Sequence, residues 1–367
     1  MLWPLPLPLF SYLARSFLRL LRRDRSLLIR PSGYQSSLWL RGGAEALSLI
    51  CSHIANDQQK PVRLLLPSYF CGQTLRHLRH DGVEFLFYSL NDDLSPNTST
   101  IEPFIDNHKA NLFLHVHYFG LLIETQSSAE FCRRHGATLV EDCAHLISPL
   151  NEIKFIGDFL IFSPHKHIPV QYGGLLFAKG ELREFAIQKQ VKLSVSWYLK
   201  RLARRYFTRN NFWQKHKEWK IVFSNDVEAA QYCAPSPLEI ELLTEKINQP
   251  QAFIKKRKYN ASKITELIDL DSSIQLFTHF QQYDAPYLVG LRFEELSNLQ
   301  KFAKTLSKSG CPYMMWPDLP AELTEDECDF QADILRTMST LFLFVHEQLD
   351  INTYTIAIKD ALDAAKQ

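Results

Sequence analysis

The sequence contains no CxxC pair, no GxGxxG turn and no Walker loop, and it has no charge excess of either sign. Its seven cysteines (Cys51, Cys71, Cys132, Cys143, Cys233, Cys311 and Cys328) are odd in number and scattered. Disulfide frameworks and zinc sites need closer spacing, so reduced cytosolic thiols are expected. The missing glycine motifs argue against a dinucleotide or ATP site. With 41 Lys and Arg against 40 Asp and Glu, the net charge is +1, and any acidic or nucleic-acid partner would need a local patch. Internal repeats and low-complexity segments are also absent. A composition of 46% hydrophobic and 22% charged residues is that of an ordinary globular protein. Its 367 residues suffice for two domains, or for one large α/β domain with an appendage.

What is present centres on Leu139 to Lys179. A buried strand ends in Glu141-Asp142, a second ends near Ser163, and Lys166 follows before Gly173-Gly174. An acid at one strand end and a lysine at the next place opposite charges at one rim of a sheet, where open α/β sheets bind ligands. A carboxylate for a pyridine nitrogen and a lysine able to form a Schiff base are what pyridoxal phosphate (PLP) chemistry asks of a protein.

Around this stretch, residues 62–180 alternate short apolar strands with helical spacers, which predicts a mainly parallel sheet covered on both faces. Upstream, Gly42-Gly43-Ala44 open a helix, where free N–H groups and the helix dipole can meet a phosphate. His115 and His117 lie two apart on a strand and share a face; without nearby partner ligands they point to packing or substrate contact rather than a metal.

The first 30 residues read differently. Pro4, Pro6 and Pro8 forbid a regular helix there. From Phe10 a helical pattern puts Phe10, Leu13, Phe17, Leu20 and Leu21 on one face and Arg15, Arg19, Arg22 and Arg23 on the other. The run falls short of the roughly 20 apolar residues of a spanning helix and lacks a secretory n-region. Such a helix can lie on an anionic membrane, but an arm packed on its own domain or on a partner subunit is the more ordinary outcome.

Residues 190–220 are rich in Lys and Arg, with Trp197, Tyr198, Tyr206, Phe207, Phe212, Trp213 and Trp219 interleaved and Glu218 the single acid. This reads as a solvated helical linker or as a grip for a phosphorylated or nucleotide-linked substrate. From about Pro235 a second unit begins, with one long helix from Leu238 to about Leu267. A strand from Pro286 to Phe293, a helix over about 294–309, an acidic loop near Thr324, the run TLFLFVHEQL and a final helix from about Asn352 complete a small α+β domain.

With these residues in view, the chain from about Ser36 onward resembles the DegT/DnrJ/EryC1/StrS family of PLP-dependent aminotransferases, as an outlying branch. RGGAEAL stands where the family has its phosphate turn, LLLPSYFCGQTL at the segment over the cofactor ring, and HVHYFG at V-H-x-x-G. EDCAHLI is similar to E-D-x-A-H/Q, with the lysine seven residues before GG, and LFLFVHEQL is similar to L-P-x-H-x-x-L. The resemblance implies a fold-type I α/β enzyme, with an N-terminal arm (1–30), a large PLP-binding domain (31–234) and a small C-terminal domain (235–367). It implies Lys166, Asp142 and His145 as catalytic residues. The implied cofactor-binding set is Gly43, Ala44, Tyr69, Phe70, Asp142, His145, Ser163 and Lys166. It further implies an amino acid donor (Glu or Gln), a keto or aldehyde acceptor such as a nucleotide-linked sugar, and a homodimer. No nucleic acid is expected. A cytoplasmic location follows, with peripheral contact at the inner face of the membrane through residues 10–25 as an option.

The sequence departs from the family at several points. Ile161 stands where a phosphate-binding serine is usual, with Ser163 two residues later, and Tyr172 precedes the glycine pair. The ring-stacking position falls among Tyr69 to Cys71. AAQYCAPSPLEI replaces the segment that reaches a neighbouring subunit. A PLP-dependent lyase or dehydratase, or a non-catalytic membrane-surface relative, are the alternative readings.

Overall fold

The computed structural model describes residues 10–22, 26–101, 110–147, 150–182, 189–207, 221–268, 274–282, 284–316, 318–323 and 330–366. Strands β1 (Ser36–Leu40), β2 (Arg63–Pro67), β3 (Glu84–Tyr88), β4 (Leu112–Val116), β5 (Thr138–Cys143), β6 (Phe159–Phe162) and β7 (Gly174–Ala178) form one sheet. Its order is β1-β7-β6-β5-β4-β2-β3. Neighbours from β3 to β6 run parallel, while β7 is antiparallel to both β6 and β1. The apolar runs behave as expected for strands covered on both faces: β4, β6 and β7 are buried at every position. Helices α2 (Gly43–Gln58), α3 (Arg76–His80), α4 (Thr98–Ile101) and α5 (Gln126–His135) connect the strands. Register sets the rim: Val116 pairs with Asp142, and Asp142 with Ile161, so Asp142 and Ser163 lie at neighbouring carboxyl ends.

The chain continues through α6 (Val195–Phe207), β8 (Phe223–Ser224), α7 (Pro237–Asn248) and α8 (Gln251–Ile268). The second unit is built on an antiparallel sheet of β9 (Ile274–Leu276), β10 (Leu288–Phe293), β11 (Tyr313–Met314) and β13 (Thr340–Phe344), while β12 (Leu319–Pro320) pairs with β8. Helices α8, α9 (Leu296–Lys308) and α11 (Ile351–Lys366) close its core through Ile264, Phe302 and Tyr354, with α10 (Gln331–Ser339) leading into β13.

Two expectations need correction. The single helix over 238–267 is two, because Pro250 cannot donate to the preceding turn and holds Gln249 away from helical geometry, at φ −133° and ψ 61°. The break divides the packing: Leu242 and Leu243 of α7 join Leu160, Phe162 and Leu175 of the large sheet, whereas Ala261 and Ile264 of α8 enter the second core.

The N-terminal helix α1 (Phe10–Arg22) exists but is turned. Arg15 lies 3.6 Å from Glu245, and Arg19 lies 3.7 Å from both Glu241 and Glu245. The nearly buried Glu241 carboxylate also accepts the Ser26 N–H and hydroxyl. Because buried carboxylates need cations and donors, the helix meets α7 partly through its basic face. Phe17, Leu18 and Leu21 are left 53%, 50% and 65% exposed.

In the basic aromatic segment, the Tyr198 hydroxyl donates to Glu239 at 3.2 Å and Arg201 lies over Trp197. Residues 208–220, with Phe212, Trp213 and Trp219, lie outside the described residues, as does most of the acidic loop after Thr324.

The two units are joined at the loop after β4. Ala285 and Tyr287 donate their N–H groups to the carbonyls of Gly120 and Phe119 at 3.0 and 2.9 Å. Gly120 adopts φ +92°, and a Cβ there would run into the Ala285 carbonyl. Phe119 is itself left-handed at φ +54°, an uncommon state for a bulky residue. Gly120→Ala should therefore lower stability by about 3 kcal/mol, read as a drop in denaturant midpoint, since it combines backbone strain with overpacking.

Candidate active site

A cleft of about 390 Å3 opens at the carboxyl rim of the large sheet. One end is the start of α2. Gly42 caps this helix with no side-chain hydrogen bond, which leaves the first-turn N–H groups at Gly43 and Ala44 without the usual capping oxygen. A Cβ on Gly43 would lie 2.8 Å from Ser163 Oγ, so glycine is required and the Ser163 hydroxyl sits against the helix start. A Cβ on Gly174 would strike the Gly42 backbone, which explains the second residue of the glycine pair at the head of β7.

Glu45 lines the same end, a residue the sequence reading did not single out. Burial alone would raise its carboxyl, but neighbouring His77, its own backbone N–H and the Arg76 charge hold it below the ordinary value. His77 Nε2 and Arg76 lie 3.7 and 3.8 Å away. The carboxylate is thus neutralised locally and leaves the α2 dipole available to an anion.

Asp142 and Lys166 are both half-buried in this cleft. Asp142 Oδ1 accepts the Ala144 N–H at 2.9 Å. Burial pushes its carboxyl up, partly offset by the Lys166 charge. Burial pushes the Lys166 amine down, partly offset by Asp142 and then Cys71. The pair is thus under-compensated, and a cationic ring nitrogen beside Asp142 would supply the missing charge.

His145 sits between Phe119 and Tyr287, with ring centroids at 5.7 and 5.0 Å. Its Nδ1 accepts the Phe119 N–H at 3.3 Å. Burial and the nearby Lys166 hold it well below its usual pKa, so it is neutral with the proton on Nε2, a donor.

Of the remaining expected residues, Phe70 and Ser163 line the cleft and Tyr69 does not. The Tyr69 ring is turned behind the wall, stacked on Trp316 at 4.5 Å, and its carbonyl accepts the Tyr118 hydroxyl at 2.7 Å. The chain bends after β2, which turns Tyr69 inward and leaves Phe70 and Cys71 lining the cleft. Cys71 donates to Asp318 at 3.0 Å, and burial raises its thiol to about 11, so it stays protonated. Trp316 also lines the cleft, with a buried Nε1 that has no partner among the described residues. No motif marked it, because it arrives from the second unit across nearly 150 intervening positions.

Of the histidine pair, His117 lines the cleft while its ring nitrogens are engaged within the fold, and His115 is packed behind it. His117 accepts the Ile123 N–H on Nδ1 and donates from Nε2 to Glu141 at 2.9 Å, and His115 bonds Ser128 at 2.9 Å. Glu141 in turn accepts the Ile156 and Gly157 N–H groups, so this acid anchors the fold while its neighbour Asp142 faces the cleft. None of the described residues 189–207 of the basic segment lines the cleft.

The residues present fit PLP: a bare helix start with a hydroxyl beside it, an under-compensated carboxylate, an amine with a lowered pKa and an N–H donor all border one volume. A mainly parallel seven-stranded sheet, a smaller α+β unit and this cleft define a fold-type I PLP-dependent transferase. Residues 41–196, which carry Gly43, Asp142, Ser163 and Lys166, match the DegT/DnrJ/EryC1/StrS aminotransferase family. Pyridoxal phosphate is its cofactor and aminotransfer its class of reaction.

Solved structures agree on the fold. Helicobacter pylori PseC, an aminotransferase involved in pseudoaminic acid biosynthesis, superposes with a TM-score of 0.71 at 13% identity, covering 99% of both chains. The aminotransferase TlmJ from Streptoalloteichus hindustanus gives 0.70 at 15% identity over 100% of both chains. A putative sugar aminotransferase from Streptococcus pneumoniae in its PLP form, Spr1654, gives 0.70 at 14% identity, again over 100% of both chains. The curated proteins include none that matches the chain in sequence.

Proposed function

We propose that the enzyme moves an amino group from glutamate or glutamine to a keto or aldehyde acceptor. The acceptor is a nucleotide-linked sugar or a related intermediate of polysaccharide or secondary-metabolite biosynthesis. The observation that carries this reading is the convergence of Asp142 and Lys166 on one cleft whose other end is the bare start of α2. The sugar chemistry in the names of PseC and Spr1654 supports the acceptor class.

In this reading, bound PLP supplies the electron sink that loosens a bond at the amino acid's α-carbon. The Gly43 and Ala44 amides and the Ser163 hydroxyl hold its phosphate. Asp142 keeps the ring nitrogen protonated, and His145 Nε2–H donates to the ring's oxygen. The Lys166 amine would hold the cofactor and, in its neutral form, take up the proton at the substrate's α-carbon. Burial favours this form. Trp316 and Gln73 offer donors to the acceptor's oxygens. The same reading takes the enzyme as a cytoplasmic homodimer, with exposed Phe17, Leu18 and Leu21 as the surface for peripheral contact at the inner face of the membrane. Among the described residues, no helix is long and apolar enough to cross a membrane.

The visible absorption spectrum tests the proposal. The expected result is a cofactor band in the purified enzyme that bleaches on adding glutamate or glutamine and returns on adding a keto acid. A band indifferent to amino donors would sink the aminotransfer reading in favour of a lyase or dehydratase.

A further inference from the structure

Between Lys166 and His167 the chain passes from the wall of the catalytic cleft into the wall of a second cavity of about 330 Å3, which shares no lining residue with the first. Leu13 of α1, Ile168, Leu242 of α7 and Phe253 of α8 give it an apolar body. His167, Lys246, Gln249, Gln348 and Glu347 supply its polar groups. Small-molecule sites have this make-up, an apolar chamber with a few fixed polar groups.

The polar end is unusually well defined. Arg257 is 1% exposed. Its guanidinium meets His167 Nδ1 at 2.7 Å, the His167 carbonyl at 3.3 Å and Glu347 Oε2 at 3.2 Å. A guanidinium can only donate, so His167 Nδ1 accepts and the ring's proton sits on Nε2. Burial and the Arg257 charge also hold His167 well below its usual pKa, which keeps the ring neutral. That Nε2–H is buried and has no partner among the described residues, on a side chain only 2% exposed. A buried donor without an acceptor costs about 1–3 kcal/mol, and an acceptor arriving in the cavity would recover it. Glu347 would repel an anion, but Arg257 neutralises it, and Lys246 adds a positive charge.

We propose that this cavity is a second small-molecule site, taking a compact molecule with an apolar body and one carboxylate or carbonyl head group that accepts a hydrogen bond from His167. The apolar body lies between Leu13 and Phe253. The site includes a residue of α1, which precedes the family segment 41–196 and is therefore a feature of this chain rather than of that segment. The inference does not rest on the aminotransfer reading.

Octanoate is the probe, titrated calorimetrically into the full-length, PLP-loaded enzyme. The expected result is saturable binding of one octanoate per chain that glutamate does not displace. His167→Phe, which removes the donor, should weaken it about tenfold. Leu13→Trp, which fills the chamber from α1, should abolish it while the cofactor band keeps its intensity and its response to glutamate. If His167→Phe fails to fold, Leu13→Trp decides alone. The proposal is overturned if octanoate does not saturate, if glutamate competes with it, or if Leu13→Trp binds it unchanged. A visible band indifferent to amino donors, by contrast, would remove the aminotransfer reading and leave this site standing.

Discussion

Lys166→Ala should lose turnover by about 10⁴-fold, the upper end of what a positioned proton-transfer group contributes, and should no longer retain pyridoxal after borohydride reduction. The side chain is half-buried in the cleft rather than packed into the core, so its removal leaves little strain and the thermal midpoint should change little. Burial lowers the amine's pKa from the free-lysine value. A larger share is therefore neutral at a given pH than for an exposed lysine, and only the neutral form takes up a proton. Among the described residues, no other lysine lines the cleft. Borohydride-fixed label persisting at wild-type yield in Lys166→Ala would remove this residue from the mechanism.

Asp142→Ala should cut turnover by about 10²- to 10³-fold, the usual cost of deleting one fixed charge that meets charge developing in a reaction, while the fold survives. Asp142→Asn, which keeps the shape and the acceptor oxygen but not the charge, should fall close to it. A second readout isolates the electrostatics. Asp142 raises the Lys166 pKa against the effect of burial, so either variant should let that amine lose its proton at lower pH. The pH midpoint for reaction of Lys166 with an amine label in cofactor-free enzyme should shift downward. Unchanged turnover, or a midpoint that stays in place, would contradict the assignment.

The large sheet was legible because β2 to β7 are short apolar runs separated by helical spacers, and the rim positions of Asp142 and Ser163 follow from strand ends alone. The Gly43 turn was legible for a similar reason: glycine before a helix announces a close approach. What the sequence did not disclose depends on contacts distant in the chain. Trp316 reaches the cleft only because the second unit folds against the first through the backbone of Phe119 and Gly120. Arg257 stands in a run of four cations, Lys255 to Lys258, yet it is buried where Lys255 and Lys256 are exposed, because the turn of α8 aims it at His167 and Glu347. Tyr69 illustrates the limit of motif alignment: which of two adjacent aromatics faces the cleft depends on the bend after β2, which the motif does not describe. Pro250 ends a helix inside a pattern that stays helical on both sides of it, so periodicity alone does not register the break. The orientation of α1 was unreadable from its own periodicity because the partner that turns it, Glu241, lies more than 200 residues away.

That pairing has a further consequence. The contacts from Arg15 and Arg19 to α7 straddle the surface: the arginine side chains are 60% and 37% exposed, their Glu245 and Glu241 partners only 13% and 3%. The screening length of an electrolyte falls from about 10 Å at 0.1 M to about 3 Å at 1 M. Salt should therefore weaken the outer, water-facing half of this contact, while Glu241, buried beneath Arg19 and Ser26, and Leu13 against the apolar cluster of α7 keep the helix seated.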